Sequence, residues 1–526
     1  FIPANAAQAN TTLGSSYEYH QKNINTTGEF YLNYASDIKP LNSNINVTAG
    51  YGYYDFLTTN FNYPRYSADG TLIAGTTPVY AFDKPRYTLI SYYSRLIYTF
   101  DSKYIFAGSI RTDGSSKFSP ANRWGVFPSA AFTWRMSDEN FLKDSKTLSD
   151  LKMRLSYGVT GQQDIIGTNG TNGYYSYLPT YSLGTNSSQY QFGNNYYYLS
   201  TPTYYDASLK WETTNALNAG FDFGFLNQRI SGSIDAYYKN TKDLLSAVYI
   251  PAGTNFTNQL ITNVGNMTNK GVELNLTGIA IKTKDINWSL NYNIAYNLNK
   301  ITNLSTTAND NSIGTPAGGI SGYTGGNIQI QSVGYSANSF YVYKQVYDAN
   351  GKPLEGVYAD LNHDGTVNSG DLYRYKSPFA KYIMGFSTNF SYKKWNVSTV
   401  LRANIGNYVY NNVAANLDKQ SNVIGGSGII NNATTGIFAS GFQTAQYYSD
   451  YYIQNASFLR MDNAGLGYTF GKIFHNSGLN LRLNANVQNV FVITKYTGLD
   501  PEVYGGIDNN FYQRPRTYTL GLNLGF

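Results

Sequence analysis

Cysteine is absent from the 526 residues, which excludes disulfide scaffolds, thiolate metal sites, thiol catalysis and iron–sulfur clusters. Histidine is almost absent. His20, His363 and His475 are the only three, and their wide spacing offers no triad or zinc set. Charge is scarce too: charged residues make up 13% of the chain, about half the usual share. The 38 Lys+Arg against 32 Asp+Glu leave +6, scattered without the basic stripe that nucleic acid binding needs. No carboxylate pair stands out for acid/base work, and GTPAGG (314–319) lacks the Lys-[Ser/Thr] of a phosphate loop. No apolar run reaches the ~18 residues of a spanning helix, and mean hydropathy is −0.36. Helical membrane spans are therefore excluded. A transmembrane β-barrel is not, because its lipid face takes only every second residue.

What the chain has in excess is aromatic side chains, 16% of the whole with 52 tyrosines, and a period of two. In TYTLGLNLGF, Tyr518, Leu520, Leu522, Leu524 and Phe526 share one face, while Thr517, Thr519, Gly521, Asn523 and Gly525 share the other. LNLRLNANVQ sets Leu479, Leu481, Leu483, Ala485 and Val487 against Asn480, Arg482, Asn484, Asn486 and Gln488. Val397, Thr399, Leu401, Ala403 and Ile405 oppose Ser398, Arg402 and Asn404 in the same way. Such segments predict strands near 28–38, 44–57, 87–100, 103–112, 126–135, 151–159, 216–225, 229–239, 271–281, 287–299, 383–392, 396–406, 458–470, 479–489 and 516–526. Many exceed the ~5–6 residues of soluble strands and suit the ~9–11 tilted residues that cross a bilayer.

The links between them alternate in length. Short ones (101–102, 226–228, 282–286, 393–395) take turns with long ones (58–86, 160–215, 300–382, 407–457), the arrangement of periplasmic turns and extracellular loops. The fold class expected is therefore all-β: a transmembrane antiparallel β-barrel. Residues 1–27 are expected to form an extracellular loop segment, 28–526 the barrel, and 240–270 and 490–515 two further external loops. About fifteen strands is an odd number, whereas plugged transporters have about 22. The expectation is that the chain is the C-terminal part of a larger barrel.

Whole segments resemble the SusC/RagA class of TonB-linked outer-membrane transporters, the nutrient importers of Bacteroidetes. They are RTDGSSKFSPANRWGVFPSAAFTWRMSDENF (111–141), LKMRLSYGVTGQQ (151–163), LKWETTNALNAGFDFGFLNQRISGSIDAYYKNTKDLL (209–245), NVGNMTNKGVELNL (263–276), DLNHDGTVNSGD (360–371), ASFLRMDNAGLGYTF (456–470) and TKYTGLDPEVYGGIDNNFYQRPRTYTLGLNLGF (494–526). The resemblance implies a 22-stranded barrel of the plugged class in the bacterial outer membrane, importing an oligosaccharide or peptide. It implies a SusD-like lipoprotein lid, TonB acting through an N-terminal plug, and pairing of two lidded barrels. Neither plug nor TonB box is matched in these residues. A passive porin, a surface adhesin or structural β-protein, and an outer-membrane enzyme are the competing readings.

Three groups of residues carry candidate chemistry. Asp360, Asn362, Asp364, Thr366 and Asp371 follow the spacing of a calcium loop, with Gly365 at its sharp turn. A structural Ca2+ there competes with an ion-free Asx/Gly turn. Tyr174, Tyr175, Tyr177, Tyr181, Tyr190, Tyr196, Tyr197 and Tyr198 in one long loop, and Tyr447, Tyr448, Tyr451 and Tyr452 in another, suit sugar or peptide stacking or a protein interface. Loop self-packing is their bland alternative. Arg154, Arg402, Asn404, Arg482 and Asn484 fall on the wet face, where bracing the wall is the better reading. Phe526, a terminal aromatic on an alternating strand, resembles the barrel assembly signal.

Overall fold

The computed structural model describes residues 16–165, 173–184, 189–249, 253, 259–304, 313–423, 432–472, 480–509 and 512–525. Each expected strand appears: β1 His20–Ile38, β2 Ser43–Phe61, β3 Arg86–Phe100, β4 Tyr104–Ser115, β5 Trp124–Arg135, β6 Leu148–Gln162, β7 Glu212–Phe225, β8 Ile230–Lys242, β9 Asn266–Lys282, β10 Ile286–Asn303, β11 Tyr382–Tyr392, β12 Trp395–Ile405, β13 Phe458–Lys472, β14 Asn480–Thr494 and β15 Thr517–Gly525. They follow one another in chain order in a single sheet, and a two-residue strand, Phe82–Asp83, pairs beside β2.

The chain divides into two compact units, one of residues 1–132, 157–215 and 241–265, the other of 133–156, 216–240 and 266–526. In the first, β1 pairs antiparallel with β2 from His20↔Phe61 to Ile38↔Ser43 without a register shift. This corrects the expected loop segment 1–27 only at its described end, residues 1–15 lying outside the described residues. Residues 20–27 are strand, because each finds a backbone partner on β2 and His20 stacks on Phe61 at 4.7 Å. In the second unit, antiparallel pairing is continuous from β9 to β15, with bulges at Ile279/Ile281, Val400/Leu401, Met461/Asn463 and Thr469/Gly471.

Local chemistry explains the tight links. Asp101 and Ser102 have φ of 49° and 53°, the left-handed central pair of a turn that the Lys103 N–H closes onto Phe100 O (3.0 Å), a geometry that matches strand twist. The Asp101 N–H donates to Asn42 O (2.9 Å), and Asn42 Nδ2 donates to Asp101 Oδ1 (2.6 Å), joining two neighbouring turns.

The long links fold on themselves, which a plain loop reading misses. In the first unit, links 116–123, 163–211 and 243–265 build a core from Phe118, Ile165, Leu209, Trp211 and Ile261 against Phe127 of β5. Trp211 lies 5.4 Å from the Phe118 ring and 5.3 Å from Phe127, and its Nε1 donates to Arg123 O (2.9 Å). Glycine is required beside it: a Cβ on Gly125 or Gly161 would stand 2.4 or 2.2 Å from the Phe127 ring. The expected 240–270 loop contains a hairpin of Leu245–Tyr249 with Gln259–Asn263. In the second unit, the links after β10 and β12 share a core of Ile328, Phe340, Val342, Tyr410, Ala415, Phe442 and Tyr452.

The wall itself keeps large apolar side chains outward. Leu483, Leu520, Leu522 and Leu524 are 40%, 87%, 60% and 45% exposed. Leu479 lies outside the described residues. A chain that left such a row in water would expose a patch no soluble monomer tolerates. Hydrocarbon is its solvent.

Candidate functional site

The wet face places charge where strand meets loop. Arg402 on β12 donates to Asp462 on β13 and, through Nη1, to Glu502 in the link before β15 (2.9 Å). Directly across the ladder from Arg402, Arg460 Nη2 meets Asp500 Oδ1 at 2.5 Å, with side chains 2% and 4% exposed. Arg514 completes the set, reaching Glu502 Oε2 at 2.9 Å. Burial alone would push the Glu502 carboxyl up, but the Arg402 guanidinium bonded to it holds it below the ordinary carboxylate range. Three guanidiniums thus face three carboxylates: Arg402 and Arg460 pin link 495–516 to the wall, and Arg514 ties the link to itself. A second brace, Arg154 on β6, reaches Asp222 (2.8 Å) on β7 and Asp235 (2.9 Å) on β8.

Arg154 and Arg402 are braces, the bland alternative weighed above. Asn484 accepts from Asn523 Nδ2 at 2.9 Å. Arg460 and Asp500 were missed by sequence reasoning. The available signal was an arginine in FLRMD at the mouth of an alternating strand, but its partner stands 40 residues on, in a segment with no period.

The 360–371 segment forms a tight, self-braced loop. Asp360 accepts from the N–H groups of His363 (2.7 Å) and Gly365 (2.9 Å). Asn362 Oδ1 accepts from the Asp364 N–H (3.0 Å), and Asp364 Oδ1 from the Thr366 N–H (2.8 Å). Buried Asp371 accepts from the N–H groups of Leu361 (2.7 Å), Asn362 (3.2 Å) and Asn368 (2.9 Å). Those backbone donors, Asn368's foremost, hold its carboxyl below the ordinary range. Gly365, at φ 83°, permits the turn. Among the described residues no three His, Cys, Asp or Glu side chains converge as a metal-holding group. Both oxygens of Asp360 nevertheless accept one N–H each, and a carboxylate oxygen carries two lone pairs. The donor set is hard oxygen throughout, which fits calcium or magnesium and no softer metal.

The tyrosines divide by exposure. Tyr174 packs on Tyr87 (4.9 Å) and beneath Lys117 (5.3 Å), and the Tyr175 hydroxyl donates to Arg86 O (3.2 Å). Tyr177 is half-buried. Tyr181, Tyr190, Tyr196, Tyr197 and Tyr198 are exposed, the last four on a hairpin of Gln189–Phe192 with Asn195–Tyr198. Tyr447 and Tyr448 instead pack against the second unit's loop core, with the Tyr447 hydroxyl on Asn416 Oδ1 (2.8 Å). Phe526 lies outside the described residues.

A sheet whose apolar flank is exposed and whose polar flank is braced by ion pairs defines an outer-membrane β-barrel. Residues 3–361 match the family described as TonB dependent receptor-like, beta-barrel, and the chain belongs to that family. It is 47% identical over 450 residues to the TonB-dependent receptor SusC of Bacteroides thetaiotaomicron, covering 84% of this chain and 44% of that protein. It is 29% identical to the TonB-dependent receptor P3 of Formosa agariphila, covering 97% and 53%. The chain spans about half the length of these curated relatives. In fold, it superimposes on a solved structure of the RagAB peptide transporter with a TM-score of 0.80 at 23% identity, over 100% of this chain and 58% of that one.

Proposed function

We propose that this chain forms the wall and external loops of a TonB-dependent importer that carries an oligosaccharide or short peptide across the outer membrane. The 47% identity to SusC, held over 84% of the chain, is the observation that supports this reading most strongly. A SusD-like lipoprotein would close the outer mouth against the loops, and TonB would act through a plug. Pairing of two such assemblies belongs to the same reading. Neither a passive porin nor an adhesin calls for a relative of this kind. Deletion of the gene in its host should abolish growth on one class of polymeric nutrient while sparing the monomer, and the solubilised protein should co-purify with a lipoprotein. Normal growth of the deletion strain on every glycan and peptide tested would remove the importer reading.

The proposal for the 360–371 loop is a structural calcium ion. Asp360, Asn362, Asp364 and Asp371 would supply side-chain oxygens and Thr366 its carbonyl. Extracellular sites of this kind bind in the range of about 10⁻⁴–10⁻³ M, enough where calcium is plentiful. Terbium luminescence should saturate with the wild type and vanish in Asp360→Asn. Calcium at ten times its Kd should add about 1.4 kcal/mol of stability, read as a raised melting temperature that EDTA reverses. Terbium titration with no saturable signal would leave the loop an ion-free turn.

A further inference from the structure

Within the second unit, a cavity of about 480 Å³ opens beside the helices Asn412–Leu417 and Gly436–Ser440. Asp418 lines it and is 5% exposed. Its Oδ1 is buried with no hydrogen-bond partner, as are the hydroxyls of Thr434 and Tyr452 in the same lining. Three orphaned polar atoms on one cavity are costly unless something meets them. The second carboxylate, Asp508, accepts from the Tyr496 hydroxyl at 2.6 Å. Among the described residues lining the cavity, none is Lys, Arg or His. The Tyr451 and Tyr452 rings, in edge contact at 5.1 Å, supply an aromatic wall. Glycine at 436 keeps the approach clear, because a Cβ there would stand 2.1 Å from Asp418 Oδ2.

A buried carboxylate without a counter-charge, walled by aromatic rings, is complementary to an organic cation. We propose that this cavity is a subsite for a primary ammonium or guanidinium group of the incoming solute, with Asp418 as its counter-ion. The importer reading enters only in naming the solute as the source of the cation. A neutral sugar would satisfy the hydroxyls while leaving the charge unanswered.

Burial pushes the Asp418 carboxyl up to about 6. The other titratable groups facing the cavity are Asp508 and the two tyrosines, whose hydroxyls burial keeps neutral. Cation capture should therefore fade as pH falls through about 6.

Calorimetric titration of the detergent-solubilised protein with n-butylammonium, 1-butanol, maltose and CaCl2 tests the proposal without any transport step. Saturable binding of n-butylammonium is expected, at least ten-fold weaker in Asp418→Asn and in Gly436→Ala, with no Asp418-dependent binding of the neutral probes. The asparagine is isosteric and removes an unpaired charge, so that variant should melt no lower than wild type. Equal binding of n-butylammonium by Asp418→Asn, or binding of maltose or calcium that Asp418→Asn abolishes while amine binding is absent, would overturn the proposal. Failure of uptake with intact amine binding would instead strike the importer reading alone.

Discussion

Replacing Arg460 by alanine is expected to destabilise the folded protein by about 3–5 kcal/mol, the cost of leaving one member of a buried ion pair alone. Asp500 would keep its charge at 4% exposure with only Arg514 nearby, at 3.8 Å. The reciprocal Asp500→Ala should cost a similar amount, and the double variant less than the sum. The loss should appear in urea titration of the detergent-solubilised protein as a lower midpoint. It should be accompanied by proteolytic opening of link 495–516, since Arg460 and Arg402 are what hold Asp500 and Glu502 of that link to the wall. Acid should act on the same network. Because the Glu502 carboxyl is held low in the folded state, its contribution is complete above its unfolded pKa of about 4.3 and is lost as pH falls further. Single variants as stable as wild type would show the pair to be incidental.

Leu522→Arg should cost about 2–4 kcal/mol in a bilayer, because β15 would then hold a guanidinium against lipid near mid-depth. Its neighbour offers the control. Thr519 lies on the opposite face of the strand, together with Asn523, which reaches Asn484. Thr519→Arg should fold with nearly wild-type yield. Refolding into phospholipid vesicles, followed by the heat-sensitive gel mobility typical of folded barrels, separates the two. Equal tolerance of both substitutions would contradict the assignment of a lipid flank.

The wall was legible because one physical rule governs it from end to end. Alternate residues meet two solvents, so Val397/Leu401/Ile405 and Ser398/Arg402/Asn404 separate on the page as they do in space. Even the tight turn at Asp101–Ser102 announced itself by its short link, although the structure adds Lys103 to it. The loops obey no such rule. Ser200–Pro202 pairs with Tyr181–Leu183 across a span with no alternation, and the Trp211 core collects residues from 118 to 261. Strand ends were set short by the same limitation: β1 runs on to His20 because β2 pairs with it there, although HQKNINTT looks polar enough for a loop. Among candidate residues, the 360–371 turn was visible because its Asp, Asn and Gly residues are contiguous. Asp418 was not, since nothing near it in NLDKQ foretells that Thr434, Tyr452 and Asp508 will line one cavity with it.

The polar flank is furnished chiefly with carboxamides. Asn33 donates to Asn46 at 2.8 Å in the first unit, and in the second Asn299 donates to Asn269 at 2.7 Å and Asn523 to Asn484 at 2.9 Å. Under the importer reading, amides already occupied with one another would offer a traveller many weak handholds and no deep trap. In the proposed importer, a conduit must let go as readily as it grips, and a lining of this sort would keep the same low friction in fresh water and in brine, because neutral dipoles do not respond to Debye screening.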